Sequence, residues 1–400
     1  MSPTRVGIIG AGIAGPVAAM LLKQQGYAPT LYERLDAPSE AGLGLGLQHA
    51  GLEVLARIPG LLAHIDGYAV DEIHFYSVLP ADAGLLGVSD HPRRLRAAHS
   101  LGHVSVQRPL LHARLVEYAA RLGVPVKFGH KLARLEQDAE GVTMVFSNGA
   151  TETASFVVGC DGLHSNTRSC LFGETPADYT GLSQWGGISP TPDFWKGKRA
   201  IADLFGDGTH MIAVPMSDTL TMWAASQREP EAKEEWRALD AATTEHFKQY
   251  SQYSQWPYGA GELVRSSLKI IRYGLYDRPA LPTWHQGRVV LIGDAAHPTS
   301  PHVGMGASNA WADAALLADL LQTHNPRADA PSADTLAAVF GALEAVRLPH
   351  TAETVRRARA HGEVRTAAGA EACRARNAMY REMCADPEKL RARFGLPEEK

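Results

Sequence analysis

The stretch "RVGIIGAGIAGPVAAMLLKQQGYAPTLYER", Arg5 to Arg34, decides how this chain begins to fold. Its first residues form the apolar run of a buried parallel strand. Gly10-x-Gly12-x-x-Gly15 follows and opens a helical spacing that stops at Gly26. "APTLYER" is a second strand, ending in Glu33 and Arg34. In this strand, turn and helix context the glycines read as a dinucleotide-binding turn. Gly10 permits the tight turn, Gly12 lets a pyrophosphate approach the backbone, and Gly15 lets the helix lie on the strand. The helix start, with Ile13 and Ala14, offers free amides to phosphate oxygens. Glu33 can accept hydrogen bonds from an adenosine ribose and would repel a 2'-phosphate. NAD or FAD therefore fits this site, and NADP does not.

A second strand-to-helix turn lies far along the chain. "VVLIGDAAHPTSPHVGMGASNA", Val289 to Ala310, is an apolar strand that stops on Gly293-Asp294, turns through Pro298 and Pro301, and opens a helix with Gly304 and Gly306. Between the two, "ASFVVGCDG" is another buried strand, ending in Asp161-Gly162. "GLGLGL" (42 to 47) reads as a loop. "RPLLHARLVEYAARLG" (108 to 123) reads as a helix, and "VPVKFG", "HKLARLEQD" and "GVTMVFSNG" as a meander with Asn148-Gly149 at a turn. From 181 to 279 the chain alternates like antiparallel strands, with a helical insert at 231 to 252. The residues from 324 to 334 are a linker by composition, and helices follow.

The predicted fold class is α/β: a Rossmann-like dinucleotide domain (1–70, 101–180, 280–325), an inserted antiparallel sheet domain (71–100, 181–279) and C-terminal helices (335–400). The chain has 400 residues, 45% hydrophobic and 20% charged, ordinary values for a globular protein. A net charge of -4 and the lack of a basic run argue against nucleic-acid binding. No apolar stretch reaches membrane-spanning length. A strand already begins at Arg5, and the cysteines (Cys160, Cys170, Cys373, Cys384) lie far apart without metal spacing. A reduced, cytoplasmic protein without a metal site is expected. Arg356, Arg357, Arg359 and Arg374 read as a solvated face or dimer contact, leaving monomer and homodimer open.

Three motifs together carry a resemblance: "GAGIAG" with Glu33, "VVGCDGLHSNTR", and "LIGDAAHPTSPHVGMGASNAWADA". In order and spacing, over roughly residues 4 to 325, the chain resembles the single-component flavoprotein aromatic hydroxylases, the salicylate, 3-hydroxybenzoate and 4-hydroxybenzoate hydroxylase family. The resemblance implies FAD, with NADH or NADPH binding transiently. It implies that Asp294 meets the ribityl chain and that Gly304, Met305, Gly306 and Ala307 meet the flavin pyrimidine. It places Arg108 near the flavin, gives Asp161 a role in flavin and nicotinamide binding, and adds Arg34, Gln48 and Leu132 as FAD candidates. A helix dipole at the pyrimidine end would favour the anionic reduced flavin. The implied reaction is hydroxylation of a small aromatic substrate by O2 through a flavin C4a-hydroperoxide.

In "FGDGTHMIAVP" the resemblance makes His210 the base that deprotonates a phenol. Pro301 stands at the flavin turn, where its carbonyl could reach substrate or flavin. Trp185, Met222 and Trp223 are pocket candidates, with core packing as the competing role. The sequence departs from the family pattern at Val214, where many members carry Tyr, and at Gly186, where an Arg often follows the Trp. Two other readings stay open: a flavin-dependent epoxidase or reductase of an isoprenoid or alkene, and a non-catalytic flavin or nucleotide binder.

Overall fold

The computed structural model describes residues 3–231, 239–386 and 389. The first strand, Arg5–Ile9, sits inside a six-stranded sheet. The spatial order is His285–Gln286, Val289–Leu291, Phe156–Gly159, Arg5–Ile9, Ala28–Tyr32 and Val126–Lys127. All neighbours are parallel except the first pair. Parallel strands are covered on both faces, which explains their unbroken apolar runs. Helices Ala14–Gln24, Arg108–Arg121 and Gly306–His324 bury one face. On the other, a three-stranded antiparallel sheet (Leu132–Gln137, Val142–Phe146, Thr151–Ala154) sets Met144 and Phe146 against Ile9, Tyr32 and Val157. "VPVKFG" thus joins the parallel sheet rather than the meander, because Val126 and Lys127 pair with Leu31 and Tyr32.

Ile9 pairs with Gly159, which pairs with Leu291. Register therefore brings Gly10, Asp161 and Asp294 out together at the carboxyl ends of adjacent strands, where open α/β sheets bind ligands. Near this edge "GLGLGL" is not a free loop. Gly44–Leu47 is a strand paired with His103–Gln107, which also pairs with Tyr68–Val70.

A second, seven-stranded sheet runs Lys269–Asp277, Asp178–Pro190, Leu220–Arg228, Thr209–Pro215, Ala200–Phe205, Glu72–Ser77, Gly84–Ser89. One face carries Leu182, Ile201, Val214, Met222, Ala224, Ile271 and Tyr273, packed with Leu43 and Met216. The opposite face carries Met211, Ala213, Trp223 and Ala225 under Phe247, Tyr253 and Leu263. The expected helical insert at 231–252 lies partly outside the described residues; within them a helix runs Ala241–Tyr250.

Helix Ala333–Arg365 straps the two units together, and three of its arginines each meet a deeply buried carboxylate. Arg347 Nε donates to Asp313 at 2.7 Å, Arg359 Nε to Asp277 at 2.6 Å, and Arg365 Nη2 lies 3.0 Å from Asp203. Arg359 reaches buried Asp277 from an exposed position, and Arg356 pairs with Glu353 at the surface. Helix Ala370–Ala385 lays Tyr380 and Met383 on Phe75, Leu86 and Phe205. The remainder of the expected C-terminal helices lies outside the described residues. Among the described residues no helix is long and apolar enough to cross a membrane.

Two interior histidines make stability pH-dependent. Burial lowers the imidazoles of His103 and His210 from 6.5 to about 4; the His91 charge adds to this at His103, and the Arg365 charge at His210. The folded values lie below the unfolded ones, so the unfolded chain binds protons first. The contribution is complete above pH 6.5 and is lost as pH falls toward 4. The melting temperature is expected to drop between pH 6.5 and 5, before most carboxylates titrate, and His103→Gln should flatten that slope. Melts that stay level over this window in the wild type would contradict the assignment.

Candidate active site

The glycine-rich turns are built by close approach. Gly10 has φ +102°, where an L side chain is strained, and a Cβ there would lie 2.5 Å from the Cys160 carbonyl oxygen. A Cβ on Gly15 would strike the Gly10 carbonyl oxygen. Gly12 is different: a Cβ there meets nothing within 4 Å, so the backbone stands open on the side a phosphate would approach. Glu33 is buried, with Oε2 accepting from Ala11 N at 2.9 Å and Oε1 from Leu35 N at 3.0 Å. The carboxylate thereby steadies the turn with one hydrogen bond on each oxygen, which leaves lone pairs for ribose hydroxyls.

The distant turn touches the first. Trp311, fully buried, donates from Nε1 to the Ile13 carbonyl at 2.9 Å. A Cβ on Gly293 would sit 3.0 Å from the Ala310 Cβ and 3.6 Å from the Ala14 Cβ. Behind Gly293, Asp313 Oδ2 accepts from Gly293 N at 2.9 Å and contacts His297 Nε2 at 2.6 Å, while Arg347 holds Oδ1. Burial pushes the Asp313 carboxyl up, but His297 and Arg347 together pull it below the usual range. Asp294 is left exposed between buried Gly293 and Ala295. Gln48 Nε2 donates to the Val303 and Gly304 carbonyls at 3.0 and 3.3 Å, tying the loop Pro301–Val303 to strand Gly44–Leu47. Met305 caps the helix that starts at Gly306, where a Cβ again meets nothing within 4 Å; Met305 and Ala307 are half-buried.

The other candidates divide. Arg108 starts its helix beside the segment 41–43, donating from Nη1 to Ala41 O at 2.8 Å, and its stem fills the space next to Gly42. Asp161 caps the helix Asn166–Phe172 through Ser165 and Thr167, and burial raises its carboxyl. Arg168 reaches the Leu163 and Ala295 carbonyls rather than pairing with Asp161. Arg34 is exposed at the end of its strand, and the Leu132 side chain lies in the core with Ile9 and Tyr32. Pro301 is exposed, and its carbonyl accepts from Gly304 N at 3.0 Å.

These features fit an extended dinucleotide. Open backbone stands at both helix starts, Glu33 lies near one and Asp294 near the other. The buried Ser300 Oγ and Asn309 Nδ2, beside the second start, make no hydrogen bond among the described residues. The FAD binding domain family model matches residues 3–335. The chain belongs to the FAD-binding monooxygenases, the class A flavoprotein hydroxylases. This flavoprotein hydroxylase is 29% identical to the 6-hydroxynicotinate 3-monooxygenase of Pseudomonas fluorescens, over 80% of the chain and 82% of that protein. It is 29% identical to the 3-amino-4-hydroxybenzoate 2-monooxygenase of Streptomyces cremeus, over 89% of the chain and 86% of that protein. The Klebsiella pneumoniae HpxO structure with FAD and uric acid shares the fold, with TM-score 0.83, 22% identity and coverage of 98% and 96%. The hydroxylase is thus an FAD-dependent monooxygenase of the aromatic hydroxylase type, with NAD(P)H as the reductant typical of that family.

The second sheet turns one face toward the flavin loop. His210 pairs with Ser226 and Phe205 across its neighbours, and Ile212 and Val214 share its parity. Met222 and Ala224 line the same side. Trp185 and Trp223 do not. Strand alternation sends both to the opposite face, where Trp185 stacks on Phe247 at 4.2 Å and Trp223 Nε1 donates to Ser267 Oγ at 2.8 Å. Both pack in the outer layer with Phe247, on the face away from the flavin loop. Gly186 faces the flavin side, and the Leu43 side chain occupies the space its Cβ would take. The missing family Arg is therefore replaced by an apolar contact.

His210 is 1% exposed, with Nε2 at 2.5 Å from Asp203 Oδ1. Burial raises the Asp203 carboxyl, but Arg365 and His210 outweigh that and hold it below the usual range. A carboxylate only accepts, so the His210 proton sits on Nε2 and Nδ1 keeps its lone pair. Nδ1 is buried and bonds to nothing among the described residues. Arg365 Nη1 also donates to the His302 carbonyl of the flavin loop at 2.8 Å, so one guanidinium spans sheet and loop. His302 lies over Gly362, where a Cβ would come within 2.8 Å of its ring. Asp203, Asp313, Arg347, Arg365 and Gly362 were not singled out by motif reading. Asp313 lies at the end of the third motif and the other four lie outside the motifs; each acts through a partner distant in sequence.

Proposed function

We propose that the enzyme hydroxylates a phenolic or aminobenzoic-type aromatic ring, with His210 as the base that takes the phenol proton. One observation carries this reading: a neutral, buried imidazole held through Nε2 by Asp203, with an unbonded Nδ1 on the face turned to the flavin loop. When bound and reduced by NAD(P)H, FAD would activate O2, of which one atom would enter the ring and the other leave as water. The phenolic proton passes to Nδ1, and the phenolate makes the ring carbon more nucleophilic. Asp203 stabilises the imidazolium that results. Ile201, Val214, Met222, Ala224 and Ile271 form an apolar wall that keeps water from the reacting ring. Gln184 and Tyr273, hydrogen-bonded to each other and facing the same side, offer a second polar contact.

Relatives named for hydroxynicotinate and aminohydroxybenzoate support this substrate class. An epoxidase needs no base at this position, so the buried Asp203–His210 pair favours phenol chemistry. The test is a panel of salicylate, 3- and 4-hydroxybenzoate, 6-hydroxynicotinate and 3-amino-4-hydroxybenzoate, each with NADH and NADPH. At least one is expected to stimulate NAD(P)H oxidation and yield a product carrying one added hydroxyl, with or without loss of a carboxylate. Stimulation by none of them, alongside conversion of an isoprenoid alkene, would contradict the reading.

A further inference from the structure

We propose that Arg365 is a positioning residue for the hydroxylation: by bridging the Asp203 carboxylate and the His302 carbonyl, it fixes the proton on His210 Nε2 and keeps the Nδ1 lone pair free beside the flavin loop. The proposal rests on His210 being the base, but it concerns a different residue, on a different element.

The geometry is specific. Asp203 Oδ1 receives both His210 Nε2 at 2.5 Å and Arg365 Nη2 at 3.0 Å, while Arg365 Nη1 reaches the His302 carbonyl at 2.8 Å. Arg365 ends the strap helix, three residues beyond Gly362, whose missing side chain lets the His302 ring lie against the helix. Glycine inside a helix is less favourable than alanine, so the close approach costs some helix stability. The Arg365 side chain is nearly buried, and its Nε donates to nothing within the described residues.

The charges that face His210 come from every side. Asp203 stands on the neighbouring strand, Arg365 and His361 on the strap helix, Arg376 on the last helix and His302 on the flavin loop. Of these, only Asp203 is negative. It pulls a proton toward His210, against burial and the Arg365 charge. Arg365 neutralises that pull. Burial and then Arg365 hold the imidazole at about 4 against the attraction of Asp203, and burial together with Arg365 keeps His302 neutral as well. Arginine suits this role because its planar fork serves two acceptors at once, whereas the single ammonium of lysine does not reproduce the bridge.

The test uses the FAD-loaded enzyme labelled with 15N-histidine, with His210→Gln identifying the His210 resonances. In the wild type the His210 ring is expected to stay neutral and protonated on Nε2 from pH 8 down to pH 5.5. Arg365→Gln should raise its titration by at least one pH unit, and the double change Asp203→Asn with Arg365→Gln should cancel the rise. With an aromatic acid that the wild type hydroxylates, Arg365→Gln should show an acid limb in product formation at the pH where its His210 titrates. Arg365→Lys keeps the charge and should leave the titration unmoved, yet product formed per NAD(P)H should fall at least twofold because the bridge to the loop is lost. If Arg365→Gln does not retain FAD, this lysine variant decides. A wild-type ring protonated on Nδ1, an unshifted titration in Arg365→Gln, or full coupling in Arg365→Lys overturns the proposal. A shifted titration whose acid limb does not follow leaves the Arg365 effect standing and removes His210 as the base.

Discussion

Gly12→Val is expected to give a protein that folds with an unchanged melting temperature as apoprotein but emerges colourless and does not take up FAD. A Cβ at this position meets nothing within 4 Å in the chain, so the substitution costs little in the fold. The same open space is where the pyrophosphate must come within hydrogen-bonding distance of backbone amides. Hydrogen bonds to charged groups contribute about 1.5–3 kcal/mol each. Losing two of them weakens binding by at least about 100-fold. Flavin fluorescence titration of the apoprotein and a thermal melt separate the two effects. Gly15→Val provides the contrast. Its Cβ would strike the Gly10 carbonyl, so the fold itself should fail. A yellow Gly12→Val enzyme with wild-type affinity would mean that the cofactor does not use this turn.

The second large effect is expected at His210. His210→Gln keeps a donor for Asp203 and a similar volume, but it has no basic lone pair to take a phenol proton. Product formation should fall by about 10²–10⁴-fold, the usual worth of a positioned general base. FAD should stay bound, because none of the cofactor-facing turns contains this residue. NAD(P)H oxidation should continue, with hydrogen peroxide replacing the hydroxylated product. A product rate within threefold of wild type would remove the base assignment and leave the rest of the pocket intact.

How far these residues were legible depended on range. The two glycine-rich turns of the proposed FAD clamp are readable because each is local. Gly10, Gly12 and Gly15 lie within one strand-to-helix turn, and Gly293, Asp294 and Gly306 within another. Their meeting is a matter of sheet order, which parallel pairing of Arg5–Ile9 through Phe156–Gly159 to Val289–Leu291 supplies. The pocket was less legible. His210 was marked by its strand and the following proline, but its carboxylate partner is Asp203, on the strand before, and its guanidinium partner is Arg365, on the strap helix. No spacing rule connects the three. Trp185 and Trp223 stand on different strands, so period-two alternation within each strand does not say which face either takes. Cross-strand register decides that, by putting His210 beside Ser226 and Trp223 beside Ala213. Glycine content also hid the strand Gly44–Leu47, whose leucines alternate but whose glycines read as a loop.

The central claim is that a flavin held at both helix starts delivers oxygen to an aromatic ring deprotonated by His210. Its most direct test is turnover under 18O2 with NAD(P)H and a stimulating hydroxylated aromatic acid, followed by mass spectrometry of the aromatic product. The account predicts one 18O atom in a new ring hydroxyl with the wild type and its loss in His210→Gln. An unchanged aromatic compound with all label in hydrogen peroxide, or a hydroxyl whose oxygen comes from water, would contradict it.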